Sequence, residues 1–167
     1  MKILFTCNEY PPEQHGGLGV FVKNIAESLA SRGHEIFVFG YYGNLKVSVT
    51  EIINNVKIIK FPLPYAENSV INFFKNRYIY ARNIKELVRL YNIDLVEFHD
   101  TGGYFLFYGS QFCVRLHNGE RYIKKNRGRL ITVFEKIAFN FKKTIYIAVS
   151  NSHLDTFKNY FIFFHPF

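Results

Sequence analysis

The chain opens with an apolar run, Lys2-Ile3-Leu4-Phe5-Thr6, and passes through a glycine-rich loop, Pro11 to Gly19, into an amphipathic segment and then a second apolar run. Short uninterrupted apolar runs of this kind are strands buried on both faces of a parallel sheet. Between them Leu18, Phe21, Val22, Ile25, Ala26, Leu29 and Ala30 recur at the spacing of one helical face, and Gly33 stops the helix. Ile36-Phe37-Val38-Phe39-Gly40 is the returning strand, so residues 2 to 40 form a right-handed βαβ unit. That unit commits the fold to an open α/β sheet. Its loop also carries chemistry. Glycine allows close backbone approach, and the first turn of a helix presents unpaired N–H groups, so Gly16, Gly17 and Leu18 are a candidate site for a phosphate or diphosphate. The alternative is that the glycines only permit a tight turn. The dinucleotide fingerprint is not met, because its third glycine is missing, the loop is too long and no acidic residue closes the second strand. A nicotinamide dehydrogenase is disfavoured.

The remaining chain repeats the alternation. Residues 46–52 and 56–61 flank Asn54-Asn55 as a hairpin or strand pair, ended by Pro62 and Pro64. A helix is expected over residues 70–91 with Phe74, Tyr78, Ala81, Ile84, Val88 and Tyr91 along its apolar side. A strand over 94–98 ends in His99-Asp100, a short helix is expected over 104–108, and a strand over 112–116 ends in His117-Asn118-Gly119. A basic helix over 128–141 leads to a strand over 144–149, closed by Ser150-Asn151, with Ser152 and Asp155 as a weak N-cap pattern. The expected fold is Rossmann-like α/β: an open, mainly parallel sheet with helices on both faces. In such sheets ligands sit beyond the carboxyl ends of the strands. The Gly16-Gly17 loop, His99-Asp100, His117-Asn118-Gly119 and Ser150 all fall at that edge.

With 167 residues, 49% hydrophobic and 19% aromatic, the chain is sized for one domain and too apolar for disorder. Its apolar runs fall well short of the ~20 residues that span a bilayer, and Met1-Lys2-Ile3-Leu4 offers no secretion signal. Cys7 and Cys113 are too few for a disulfide framework and fit buried, reduced thiols in the cytoplasm. The net charge of +8 is concentrated: Arg121, Lys124, Lys125, Arg127, Arg129, Lys136, Lys142 and Lys143 face only Glu135 within 121–143, a local +7. No nucleic-acid motif accompanies this patch, which disfavours RNA or DNA as partner.

The ordered set Pro11-Pro12 before Gly16-Gly17-Leu18-Gly19, Gly33-His34-Glu35, Asp94, Arg115-Leu116-His117-Asn118-Gly119 and Ala148-Val149-Ser150 resembles the amino-terminal lobe of GT-B glycosyltransferases. The resemblance is to the retaining family 4 group, which includes many transferases of cell-surface polysaccharide and glycolipid synthesis, and it covers nearly the whole chain. A glycogen-synthase-like lobe ranks lower, since His15 stands where those enzymes carry lysine and Val20 where they carry an acid. The resemblance implies that Gly16, Gly17 and Leu18 lie beside the donor diphosphate and acceptor. It implies that His117 approaches the reacting centre as the catalytic residue, and that His15, His99, Asp100, Asn118, Gly119 and Ser150 line the acceptor side of the cleft. For His99-Asp100, local pairing at the strand end is an equal alternative.

The group's second lobe supplies an Arg/Lys pair and two glutamates for the nucleotide-sugar, and residues 1–167 contain no such region. Glu13 and Glu27 are no substitute. The expectation is therefore a single acceptor-side lobe ending about where the interlobe linker would begin, nearly inactive alone, with nucleotide-sugar as co-substrate and no metal. A non-catalytic module binding a phosphorylated sugar or a protein partner is the alternative. The basic segment is then either a core-packed helix with a solvated cationic face or a dock for anionic lipid, at ~1 kcal/mol per basic residue near the surface. The second reading makes the chain peripheral to the inner face of the membrane.

Overall fold

The structure, a computed structural model, describes residues 1–12, 16–100, 103–110, 112–117, 145–152 and 155. Seven strands form one sheet: β1 (Lys2–Thr6), β2 (Glu35–Tyr42), β3 (Val49–Ile53), β4 (Val56–Pro62), β5 (Leu95–His99), β6 (Cys113–Leu116) and β7 (Ile145–Ala148). Their order is β3-β4-β2-β1-β5-β6-β7, with every pair parallel except the β3–β4 hairpin. Two helices are described, α1 (Gly17–Ser31) and α2 (Val70–Tyr91).

The side-chain alternation of β1 divides the core. Ile3 and Phe5 pack with Ile36, Val38 and Ile58 under Val22 and Ala26 of α1. Leu4 faces the other way, with Phe37, Phe39 and Ile59 under Tyr80, Ala81, Ile84 and Leu87 of α2. The two helices thus cover opposite faces. Right-handed crossovers require this, because the chain steps outward from β1 to β2 but travels back across β1 to reach β5. The reversal leaves a crevice beyond the carboxyl ends of β1 and β5, at the topological switch point.

Asp94 fixes the opposite end of these strands. Its carboxylate accepts the N–H of Lys2 at 2.7 Å and its own N–H donates to the Lys2 carbonyl at 2.9 Å. At the crevice end, the segment leaving β1 is laced onto β2. Cys7 N–H donates to Phe39 O at 2.8 Å, Tyr41 N–H to Asn8 Oδ1 at 2.8 Å, and the Tyr42 hydroxyl to Cys7 O at 3.3 Å. This approach is so close that a Cβ on Gly40 would stand 1.9 Å from the Cys7 carbonyl oxygen. Gly33, at φ +84°, ends α1, and Asn92, in the left-handed region, ends α2.

Three local expectations need correction. The buried face of α2 runs through Phe73, Asn76, Arg77 and Tyr80 in its first half, while Tyr78 is 60% exposed. Polar residues occupy the inward positions because they have partners there. Asn76 exchanges two hydrogen bonds with the backbone of Tyr65, at 3.1 and 2.9 Å, and Arg77 pairs with Glu67 while stacking on Phe73 and Tyr104. Residues 104–108 form hydrogen-bonded turns where a short helix was expected, Leu106 N–H donating to Gly103 O and Tyr108 N–H to Phe105 O. Phe105, Tyr108 and Phe112 wedge against Phe98, so apolar packing decides that segment. Ser152 is already helical, inside the position expected to cap. The expected basic helix over 128–141 lies outside the described residues.

Candidate functional site

A cleft of about 420 Å³ opens at the switch point, lined by Thr6, Cys7, Asn8 and Glu9 from the end of β1, Gly16, Gly17 and Leu18 from the start of α1, Tyr80 and Tyr104, and His99 and His117. Each wall has a structural cause. The β1 exit is laced to β2 as described, and Thr6 Oγ1 donates to the Glu97 carbonyl at 3.3 Å, tying β1 to β5. Tyr80 donates its hydroxyl to Phe39 O at 3.2 Å and stacks on Tyr104 at 4.5 Å, so α2 holds the far wall.

The two histidines stand side by side with ring centroids 5.0 Å apart. His99 is buried, and its ring makes only a weak contact with the Thr6 backbone, with no well-formed hydrogen bond at either nitrogen among the described residues. Burial, reinforced by the neighbouring His117 and Arg115, pushes its pKa down from 6.5 to about 3. His99 is therefore a neutral imidazole with one donor and one acceptor, suited to a hydroxyl group. The His117 ring meets the Phe21 ring edge-on at 4.6 Å, so α1 steers it.

Beneath them buried Glu97 pairs with half-buried Arg115. Glu97 accepts from Arg115 Nε at 2.6 Å and from Nη2 at 2.9 Å, the two-pronged geometry that holds both side chains. The guanidinium also sits 5.3 Å from the Phe21 ring centre. Register explains the pair: Glu97 lies opposite Cys113 and His99 opposite Arg115 on adjacent parallel strands, all on the α1 face. Burial pushes the Cys7 and Cys113 thiols up to about 12, with Glu97 adding to the effect at Cys113. Both are protonated and are poor nucleophiles.

The structure brings Gly16, Gly17, Leu18, His99 and His117 together in one cleft. Asp100 is buried behind it, and Ser150 is exposed past the end of β7, apart from the cleft lining. His15, Asn118, Gly119 and the basic positions Arg121, Lys124, Lys125, Arg127, Arg129, Lys136, Lys142 and Lys143 lie outside the described residues. Sequence reasoning missed Asn8 and Glu9, although both follow β1 at the carboxyl edge where polar groups gain meaning. It also missed Tyr104, which reaches the cleft from a turn. Among the described residues, no three His, Cys, Asp or Glu side chains are grouped as metal ligands, and no helix is long and apolar enough to cross a membrane.

A family model described as Glycosyltransferase Family 4 matches residues 15–163. No curated protein sequence matches the chain. Among solved structures, sucrose-phosphate synthase from Thermosynechococcus elongatus is similar at 15% identity with a TM-score of 0.72, over 96% of this chain and 45% of that one. An α,α-trehalose-phosphate synthase (UDP-forming) from Burkholderia vietnamiensis is similar at 15% identity with a TM-score of 0.57, over 96% of this chain and 42% of that one. At these identities the likeness is one of fold, and the chain spans less than half the length of either protein.

Proposed function

Because the chain belongs to glycosyltransferase family 4 and has the fold of a GT-B amino-terminal lobe, we propose that it is the acceptor-side lobe of a retaining hexosyltransferase. In this reading the enzyme moves a sugar from a nucleotide-sugar donor to a glycan or lipid-linked acceptor. The observation that carries it is the shared cleft: Gly17, at the positive end of α1, and His117, at the tip of β6, line the same space with His99 between β1 and β6.

Sugar transfer needs a leaving diphosphate neutralised and an acceptor hydroxyl held beside a carbon that becomes cationic, so preorganised dipoles carry most of the catalysis. The amides opening α1 offer such dipoles to a phosphate. His117 is placed to contact the reacting sugar, and neutral His99 to orient the acceptor hydroxyl without adding charge. The chemistry needs no metal in this scheme, because a second lobe contributes the cationic side chains and the nucleotide pocket. The chain alone then gives little or no turnover. We place the enzyme in the cytoplasm, in cell-surface polysaccharide synthesis, with the basic segment 121–143 resting on anionic lipid.

Co-expression with a candidate carboxyl-terminal lobe, followed by a donor-hydrolysis assay, tests the reading. Hydrolysis that needs both halves and is lost in His117→Ala supports it. Binding of a phosphorylated sugar with no turnover in any pairing marks a non-catalytic module instead. Flotation with vesicles of anionic and neutral lipid tests the membrane component separately.

A further inference from the structure

The carboxylate of Glu9 lies across the start of α1. Its Oε1 accepts the backbone N–H of Gly19 at 3.0 Å. A Cβ on Gly16 would stand 3.3 Å from that oxygen and 3.4 Å from Oε2, so the absence of a side chain at Gly16 makes room for the carboxylate. Gly17, one residue on, has open space where its side chain would be. The arrangement is the one a phosphate oxygen would adopt: an anion on a first-turn amide, close against glycine backbone.

A helix cap alone would explain the Gly19 contact, but not its surroundings. The same cleft contains buried His99, whose ring has only a weak contact with the Thr6 backbone and no well-formed hydrogen bond among the described residues, facing a space of about 420 Å³. Polar groups left unsatisfied in a wall of that kind await a ligand. We propose that Glu9 is a built-in anion, which holds the α1 amide until a phosphate group of the donor arrives and displaces it. Two anions cannot share one amide without repulsion, which grows as the cleft excludes water. Donor binding must therefore be coupled to a swing of Glu9. Its charge sets a threshold that nucleotide or phosphate fragments must overcome. The inference rests on the reading of this cleft as the donor–acceptor site.

The test uses the full 167-residue chain, inorganic pyrophosphate as probe, and titration calorimetry at low salt. Glu9→Gln keeps a hydrogen-bond acceptor and removes the charge. The expected result is pyrophosphate binding about fivefold tighter than in the unaltered chain, a gain that shrinks at about 0.5 M salt. Equal or weaker binding overturns the role of Glu9 while leaving the cleft reading intact. Absence of binding in both folded proteins overturns the cleft reading and this inference with it. A second measurement needs no variant: the ¹³Cδ resonance of Glu9 is expected to move as pyrophosphate saturates the unaltered chain. A resonance that stays fixed at saturation also overturns the displacement.

Discussion

The backbone N–H of His117 donates to Asp100 Oδ2 at 3.1 Å, and the N–H of Asp100 in turn donates to the Arg115 carbonyl at 3.1 Å. The tip of β5 thus holds the tip of β6. A buried carboxylate that is not itself part of the cleft lining sets where the His117 ring begins. On the proposed function, Asp100 acts as a positioning residue.

Replacing Asp100 by Ala is therefore expected to leave the part-buried His117 N–H unpaired and to cost roughly 1 kcal/mol, whereas Asn, which still offers an oxygen, costs less. Urea unfolding of both variants checks the order. On the proposed reading, in which His117 sits at the reacting centre of a two-lobed enzyme, Asp100→Ala should lower kcat more than it raises KM.

His99 makes stability depend on pH. Its pKa is about 3 in the folded chain against the ordinary 6.5, so between those values the unfolded chain binds a proton that the folded chain excludes. This contribution is fully present above pH 6.5 and is lost progressively as pH falls towards 3. The slope approaches about 1.4 kcal/mol per pH unit in the middle of that window. Denaturation midpoints at pH 7 and pH 5, compared with those of His99→Gln, should show the slope reduced in the variant.

The alternating strands and helices were legible because buried parallel strands and amphipathic helices leave strong periodic signals. Lys2 to Gly40 and residues 70–91 show this most clearly. The inward face of α2 was not legible: Asn76 and Arg77 are polar by type, and only the fold supplies the Tyr65 backbone and the Glu67 carboxylate that justify burying them. The cleft was legible as a set of strand tips, of which Gly17, His99 and His117 line one space while Ser150, expected at the same edge, does not. Glu9 escaped notice because its partner, the Gly19 amide, is a backbone group with no signature in residue type.

The Glu97–Arg115 pair carries a further mutational expectation. Arg115→Met should destabilise the chain by roughly 3 kcal/mol, because it leaves Glu97 buried and uncompensated. The double variant Glu97→Gln with Arg115→Met should recover part of the loss, and a double-mutant cycle by chemical denaturation measures it.

Gly40→Ala should be more damaging than its size suggests. The added methyl meets the Cys7 carbonyl rather than a movable side chain, so β1 and β2 must part at the cleft floor. The expected cost is about 3 kcal/mol or more, with thiol labelling of Cys7 accelerated as the floor opens.

Asn76 grips the loop before α2 through the main chain of Tyr65, one bond in each direction, and through the Glu67 carboxylate, which Arg77 also holds. An anchor of this kind fixes the loop's path at Tyr65 and Glu67 and leaves Ala66, gripped through its carbonyl by Asn72, open to rewriting. That one position can consequently vary in size and charge without renegotiating the scaffold, whereas its neighbour Asn68, whose Oδ1 accepts from Asn72, cannot.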